Sequence, residues 1–277
     1  MSKKTIFLSG MPRSMSTLMA NILANNPRIG GGETSPLLEY VYGAKGNFST
    51  TPEVKSALTE EIMSESFLNF CRSGINGYAE KITPKEIYLD KSRGWIHYAH
   101  FLWQIIPDAK IIVMVRDIRG IASSFEKKWR ENPDVIDHRD NPAEQNFITV
   151  DQRVQRWLDD APIGLSIRRL WNAWQTKTLN NNNILIVRAE ELCKNPKAMM
   201  QKVYDFIEEP YYDLDYNDVK QMTVENDRIA DFGIYGSHTI RQKIEPIKKD
   251  WDDILTTQVS NNIKAGYKWF YDEFNYF

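Results

Sequence analysis

The sequence has very little cysteine and no long hydrophobic run. Its 277 residues include two cysteines, Cys71 and Cys193, which exclude a disulfide framework or a cysteine-rich zinc site and favour free thiols. The apolar run near the N-terminus meets Gly10, Pro12 and Arg13 too soon to span a bilayer or to be a secretory signal. We therefore expect a first β-strand there, a cytoplasmic protein and no membrane partner. Histidine is also scarce and no acidic cluster has calcium-loop spacing, so we expect no metal.

The chain also lacks an excess of charge of either sign. It has 35 Lys and Arg against 37 Asp and Glu, a formal net charge of −2, which argues against nucleic acid as a partner. An anion site must therefore come from a local arrangement of side chains. There is no internal repeat and no linker that divides the chain, and its length suits one sizeable core. We expect a single domain over residues 1–277.

Short buried strands that alternate with helical patterns predict the fold class. Four apolar runs are typical of strands, at residues 5–9, 87–89, 110–115 and 184–187. Helical patterns follow at 18–25, 52–75, 118–129 and 151–180, whereas 132–149 and 230–251 have the composition of loops. This order predicts an α/β protein with three layers, a parallel sheet flanked by helices.

The first candidate site lies where the first strand turns into a helix. Unpaired N–H groups at such a helix start hold a phosphate or sulfate, and hydroxyl and guanidinium donors can add to them. The candidate ligands here are Arg13, Ser14, Met15, Ser16 and Thr17. The alternative is that these hydroxyls only cap the helix. A nucleoside-triphosphate loop would carry a Gly-Lys pair that this sequence lacks.

The second candidate site follows the apolar run KIIVMV. Arg116 comes directly after it, and Ser124 lies eight positions further on, in the next helix. An arginine at a strand end and a hydroxyl on the following helix can converge on one phosphate. Two alternatives stay open: Arg116 forms a surface salt bridge instead, or Ser123 serves in place of Ser124.

Together these motifs resemble the sulfotransferase family. The segment IFLSGMPRSMSTLMANILANNP, residues 6–27, resembles its 5′-phosphosulfate loop and is most similar to the tyrosylprotein sulfotransferase branch, with Met15 where that branch has glycine. Arg116 and Ser124 match the family's 3′-phosphate signature, and Lys128 stands where the branch has a further arginine. The resemblance implies a P-loop-like fold and sulfuryl transfer from 3′-phosphoadenosine 5′-phosphosulfate (PAPS) to a hydroxyl. The acceptor is left open as a peptide tyrosine, a small molecule or a glycan, and the oligomeric state is left open too.

The resemblance also implies three catalytic residues. Arg13 would stabilise the bridging oxygen, and Lys91 resembles the catalytic lysine of the branch. Glu33, in the segment GGGETS that we expect to be a short flexible loop after the first helix, resembles its general base. An ungapped match would place Thr34 rather than Glu33 on the base. The rival bases are His97 and His100, although histidines among so many aromatic residues are more often packed than catalytic.

A basic segment late in the chain resembles the loop that covers the nucleotide in this branch. Its candidate ligands are Tyr235 for adenine, and Arg241 and Lys243 for the 3′-phosphate. Ala189 stands where the family has a tyrosine that contacts adenine. The alternatives to a sulfotransferase are a nucleoside-phosphate kinase of related fold and a nucleotide-binding protein without catalysis.

Overall fold

Five parallel strands form the centre of the computed structural model, which describes residues 3–56, 60–131, 149–227 and 237–276. The strands are β1 (Lys4–Gly10), β2 (Ile29–Thr34), β3 (Ile87–Lys91), β4 (Ile111–Val115) and β5 (Ile184–Arg188). Their order in the sheet is β2-β3-β1-β4-β5, and every neighbouring pair is parallel. The predicted α/β class is therefore confirmed.

Alternate residues of the strands pack into two separate hydrophobic clusters, one on each face of the sheet. Ile6 and Leu8 of β1 belong to one cluster, whereas Phe7 between them belongs to the other. In β4, Ile112 and Met114 face the first cluster and their neighbours face the second. Because both faces are covered, the strands are continuous apolar runs, and the predicted three layers are confirmed.

Helices supply the two outer layers. On the first part of the chain they are α1 (Ser16–Ala24), α2 (Leu37–Thr50), α3 (Pro52–Ser56), α4 (Glu60–Ile82), α5 (Ala99–Ile105) and α6 (Ile118–Glu131). The later ones are α7 (Val150–Asp159), α8 (Ile163–Gln175), α9 (Ala189–Lys194), α10 (Pro196–Phe206), α11 (Trp251–Ile254), α12 (Thr257–Gly266) and α13 (Lys268–Glu273). Within the described ranges, none of these helices is both long and apolar enough to cross a membrane. Cys71 and Cys193 are both buried free thiols, as predicted.

One predicted loop is instead an edge strand. The segment that contains Glu33 forms β2, which pairs with β3 through a register shift between Gly31 and Thr34. Gly31 and Gly32 have φ of 89° and 98°, and a Cβ on Gly31 would lie 2.6 Å from the ring of Tyr88. The glycines are therefore required for pairing here. Because glycine has no apolar side chain, this segment lacks the hydrophobic pattern by which a strand is predicted.

Two helical patterns also differ from the prediction. The expected helix at 151–180 is divided into α7 and α8, since Pro162 at the start of α8 has no N–H to continue a helix from α7. The expected helix at 52–75 corresponds to α3 and α4, and α2 was not predicted. Of the two predicted loops, residues 237–250 contain no helix or strand, whereas 132–148 and 228–236 lie outside the described residues.

Candidate functional site

The turn from β1 into α1 is tight and internally bonded. Gly10 has φ of 143°, and a Cβ there would lie 2.3 Å from the carbonyl oxygen of Met114, so only glycine fits. The buried hydroxyl of Ser14 donates to the carbonyl of Met11 at 2.6 Å. This predicted ligand therefore uses its hydroxyl to shape the loop.

The N-terminus of α1 is left open by the residue in the capping position. That residue is Met15, in the left-handed region at φ 65°, and none of the described side chains caps the helix there. The hydroxyl-bearing Ser16 and Thr17 lie in the first turn and are partly exposed. The alternative that these hydroxyls merely cap the helix is therefore wrong. The first N–H groups and the positive end of the helix dipole remain available to an anion.

Two guanidinium groups meet beside this helix start. Nε of Arg13 donates to the hydroxyl of Ser124 at 3.0 Å, and Nη1 of Arg116 donates to the carbonyl of Arg13 at 2.9 Å. Burial lowers the pKa of both guanidiniums, and for Arg13 the nearby charge of Arg116 lowers it further. Over the described ranges, neither has a carboxylate within ion-pair distance, and the buried Nε of Arg116 has no hydrogen-bond partner. Among these residues, Arg116 forms no salt bridge.

Ser124 and Ser123 differ in their positions relative to Arg13. Ser124 contacts Arg13, whereas the hydroxyl of Ser123 is buried and unpartnered among the described residues. The structure thus brings Arg13 together with Arg116 and Ser124, which lie more than a hundred residues later in the sequence.

Acidic side chains near Arg116 are held away from it by other donors. Asp117 accepts from the hydroxyl of Tyr271 at 2.9 Å and from Nη2 of Arg119 at 2.6 Å. Glu190 accepts from the N–H of Asp117 at 3.2 Å and from the hydroxyl of Tyr276 at 2.8 Å. Sequence reasoning missed these C-terminal tyrosines, which no motif marks. These hydrogen bonds hold Asp117 and Glu190 outside ion-pair distance of Arg116, although the charge of Glu190 still acts on it.

The remaining predicted ligands of this site lie further out. Lys128, one helical turn after Ser124, pairs with Glu131 at 2.7 Å. Lys243 is exposed, with its nearest carboxylate in Glu245 at 3.8 Å, and Arg241 is exposed as well. No described contact links these three to Arg13 or Arg116, and Tyr235 lies outside the described residues. Their assignment as ligands stays a prediction.

A second group of charged residues lies at the end of β3. The ammonium of Lys91 is 2.5 Å from Oε1 of Glu225, and both side chains are buried, with 7% and 8% of their surface exposed. Glu33 of β2 lies close by: its carboxylate accepts from the N–H of Val224 at 3.4 Å, and its charge acts on Lys91. The sequence predicted Glu33 and Lys91. It missed Glu225, because that residue follows no recognised motif and is brought in from more than a hundred residues away.

The rival histidines have other contacts. His100 shares a hydrogen bond of 2.8 Å with Thr178 and packs edge-on against Trp103. His97 packs against Tyr98, and burial together with the charge of Arg169 lowers its pKa. Neither has a described contact with Lys91 or Glu33, and both residues are exposed.

Known proteins resemble this chain in sequence and in fold. The model of the Sulfotransferase family matches residues 5–213. The chain is 23% identical over 218 residues to Protein-tyrosine sulfotransferase A of Caenorhabditis elegans, covering 75% of the chain and 50% of that protein. For Protein-tyrosine sulfotransferase of Drosophila melanogaster the identity is 21% over 213 residues, covering 75% and 38%. The chain therefore spans half or less of the length of these two relatives.

A solved structure shares the fold over almost the whole chain. It is the sulfotransferase domain from the olefin synthase of Synechococcus PCC 7002, with a TM-score of 0.51 and 18% identity. The match covers 96% of this chain and 95% of that one. At this identity the likeness shows the arrangement of strands and helices.

Proposed function

The chain belongs to the Sulfotransferase family, and from that premise we propose that it transfers a sulfuryl group from PAPS to an acceptor hydroxyl. The single observation that carries the proposal is the pair Arg13 and Arg116, two largely buried cations that have no carboxylate partner among the described residues. Burying a charge without a partner is costly, so such a pair is expected where a ligand supplies the opposite charge.

The residues of the site fit a nucleotide with phosphates at both the 5′ and the 3′ position. The open start of α1, with Ser16 and Thr17, suits the 5′-phosphosulfate. Arg116, at the end of the neighbouring strand β4, suits the 3′-phosphate, which ATP does not have. Lys128, Tyr235, Arg241 and Lys243 stay predicted contributors.

The roles of the catalytic side chains follow from their charge and position. PAPS supplies the sulfuryl group, and 3′-phosphoadenosine 5′-phosphate is the leaving group that takes the negative charge. Arg13 and Lys91 are the cations that stabilise charge developing on the transferred group and on the leaving phosphate. Glu33, beside Lys91, takes the proton of the acceptor hydroxyl. No metal enters this scheme, since two fixed cations supply the positive charge.

The acceptor is an alcohol or a phenol. The relatives are named for protein tyrosine, which supports a tyrosine side chain as one candidate. A small molecule or a glycan is an equal candidate, because acceptor choice depends on loops that vary within a fold. A cytoplasmic location, a single domain and the absence of nucleic-acid and membrane partners stay predictions.

Thermal unfolding with three nucleotides tests the donor. At a concentration of one hundred times Kd, a ligand of the native state adds about 2.7 kcal/mol of stability, which is roughly 5–10 °C in Tm for a chain of this size. We expect this shift with 3′-phosphoadenosine 5′-phosphate and not with ADP or Mg-ATP. A shift with Mg-ATP alone would favour a nucleoside-phosphate kinase, and no shift with any nucleotide would contradict the proposal.

A further inference from the structure

Four ionisable side chains connect the end of β3 with the late segment of the chain. The first link is the buried ion pair between Lys91 and Glu225, at 2.5 Å. In a site of low dielectric, either of these charges alone would be strongly destabilised. The ion pair therefore offsets part of the cost of burying both charges.

Glu225 is itself held by groups on both sides. Its Oε1 also accepts the backbone N–H of Thr34 at 3.1 Å, and its Oε2 lies 3.4 Å from Nε2 of His238. On the other side of that imidazole, Nδ1 lies 2.5 Å from Oδ1 of Asp227, whose Oδ2 accepts the backbone N–H of His238 at 3.0 Å. Burial alone would raise the pKa of Asp227, but its hydrogen bonds with His238 leave that pKa lowered. The imidazole is thus oriented between two carboxylates.

The backbone that carries Glu225 is attached to the helix that begins at the anion site. The side-chain oxygen of Asn21 in α1 accepts the N–H groups of Met222 and Thr223, at 2.5 and 3.0 Å. The amide of Asn21, which is fully buried, also donates to the hydroxyl of Thr223 at 3.0 Å. These contacts fix where the chain runs just before Glu225.

We propose that Glu225 is a positioning residue for the transfer reaction, which holds the ammonium of Lys91 charged and in place beside Glu33 and is itself held by His238 and Asp227. The inference rests on the proposed function, because it gives Lys91 a role in transfer. Glu225 need not touch the substrate; it acts through Lys91.

The charges around Lys91 explain why a partner is required. Burial lowers the pKa of Lys91, and the charges of Glu225 and Glu33 oppose that shift. Among the described residues, the charged groups that act on Lys91 are Glu225 and Asp227 of the late segment, Glu33 of β2, and Arg93 after β3. Arg93 lowers the pKa further, so the carboxylates are the charges that oppose loss of the ammonium proton.

The test replaces the carboxylate and follows both Lys91 and the reaction. In Glu225→Gln we expect the pKa of Lys91 to fall, measured by NMR on lysine labelled with ¹³C at Cε and assigned through the signal lost in Lys91→Met. We also expect kcat at neutral pH to fall roughly 10²-fold with little change in the KM for PAPS, as for a misplaced catalytic group. The alkaline limb of the kcat profile should move to lower pH, since a less basic Lys91 loses its proton earlier.

One further variant separates the charge of Glu225 from its position, and another serves as a control. Glu225→Asp keeps the charge but shortens the side chain, so we expect it to restore the titration of Lys91 more fully than kcat. Glu86→Gln is the matched control: it removes an exposed carboxylate that pairs with Arg28 at 2.8 Å, directly before β3. It should leave both readouts as in the wild type.

The outcomes are separable. If Glu225→Gln matches Glu86→Gln in the titration of Lys91 and in kcat, the inference is wrong. If the titration shifts while the wild-type protein transfers no sulfuryl group, the coupling of Glu225 to Lys91 is supported and the proposed function fails. If Glu225→Gln does not fold, the same measurements on His238→Gln decide: a smaller fall in the same direction supports the inference, and no change overturns it.

Discussion

Replacing Arg116 by methionine is expected to weaken binding without weakening the fold. Arg116 has one hydrogen bond within the described residues, to the carbonyl of Arg13, which is worth about 1 kcal/mol. This loss is offset because the substitution removes the cost of burying a guanidinium that has no carboxylate partner among the described residues. We expect the free energy of unfolding of the empty protein to fall by no more than about 1 kcal/mol, or to rise.

In contrast to the stability of the empty protein, the affinity for one nucleotide should fall markedly. A hydrogen bond to a charged group contributes about 1.5–3 kcal/mol, which is roughly a 10- to 150-fold change in Kd. If Arg116 holds the 3′-phosphate, the affinity for 3′-phosphoadenosine 5′-phosphate falls by that factor. The affinity for adenosine 5′-phosphate, which has no 3′-phosphate, stays the same. Isothermal titration calorimetry with both nucleotides measures the ratio.

The neighbouring strand offers a matched control. Arg188 ends β5 in register with Val115, directly before Arg116, but it has a carboxylate partner: its guanidinium pairs with Glu191 at 2.6 Å and donates to the carbonyls of Phe274 and Asn275. Its buried Nε, like that of Arg116, has no hydrogen-bond partner among the described residues. Arg188→Met should lower the free energy of unfolding by about 1–3 kcal/mol and leave the nucleotide ratio unchanged. The reasoning would be refuted if Arg116→Met destabilised the empty protein as much as Arg188→Met, or if the ratio of affinities did not move.

Three further predictions concern single side chains. Glu33→Gln should lower kcat by about 10²–10⁴-fold without changing the Kd of PAPS, whereas Thr34→Val should not; the reverse result would place the base at Thr34. At position 15, Met15→Gly should be more stable than Met15→Ala by about 0.5–1 kcal/mol in denaturant unfolding, since the left-handed backbone there favours glycine; the opposite order would contradict that conformation. Tyr276→Phe should free Glu190 to approach Arg116 and weaken 3′-phosphoadenosine 5′-phosphate severalfold in calorimetry, and unchanged affinity would show that Glu190 is held otherwise.

The parts of the fold that apolar patterning encodes could be predicted from the sequence. Strands β1, β3, β4 and β5 are buried apolar runs, and each predicted run overlaps the observed strand. Strand β2 could not be found in this way, because its pairing depends on glycines that approach Tyr88 closely rather than on apolar side chains. Its discovery changes the setting of Glu33 from a flexible loop to the edge of the sheet.

The candidate site residues that belong to local sequence motifs could be predicted. The partners that the tertiary fold brings to them could not. Arg13 and Arg116 follow the ends of two neighbouring strands, and Ser124 lies on the helix after the second, so their meeting follows from the parallel sheet. The partners of Lys91 and of Glu190 come from segments without regular periodicity or from the C-terminus. These contacts form only through tertiary packing. No spacing of residues in the sequence indicates them.

Transfer of labelled sulfuryl from PAPS tests the central claim most directly. The wild-type protein would be incubated with ³⁵S-labelled PAPS and, separately, a tyrosine peptide, a small phenol, an alcohol and a glycan, next to Lys91→Met and Glu33→Gln. We expect label on at least one hydroxyl acceptor, equimolar release of 3′-phosphoadenosine 5′-phosphate, and loss of both in the two variants. Tight binding of the bisphosphate with no labelled acceptor, and no difference between the wild type and the variants, would instead indicate a nucleotide-binding protein without catalysis.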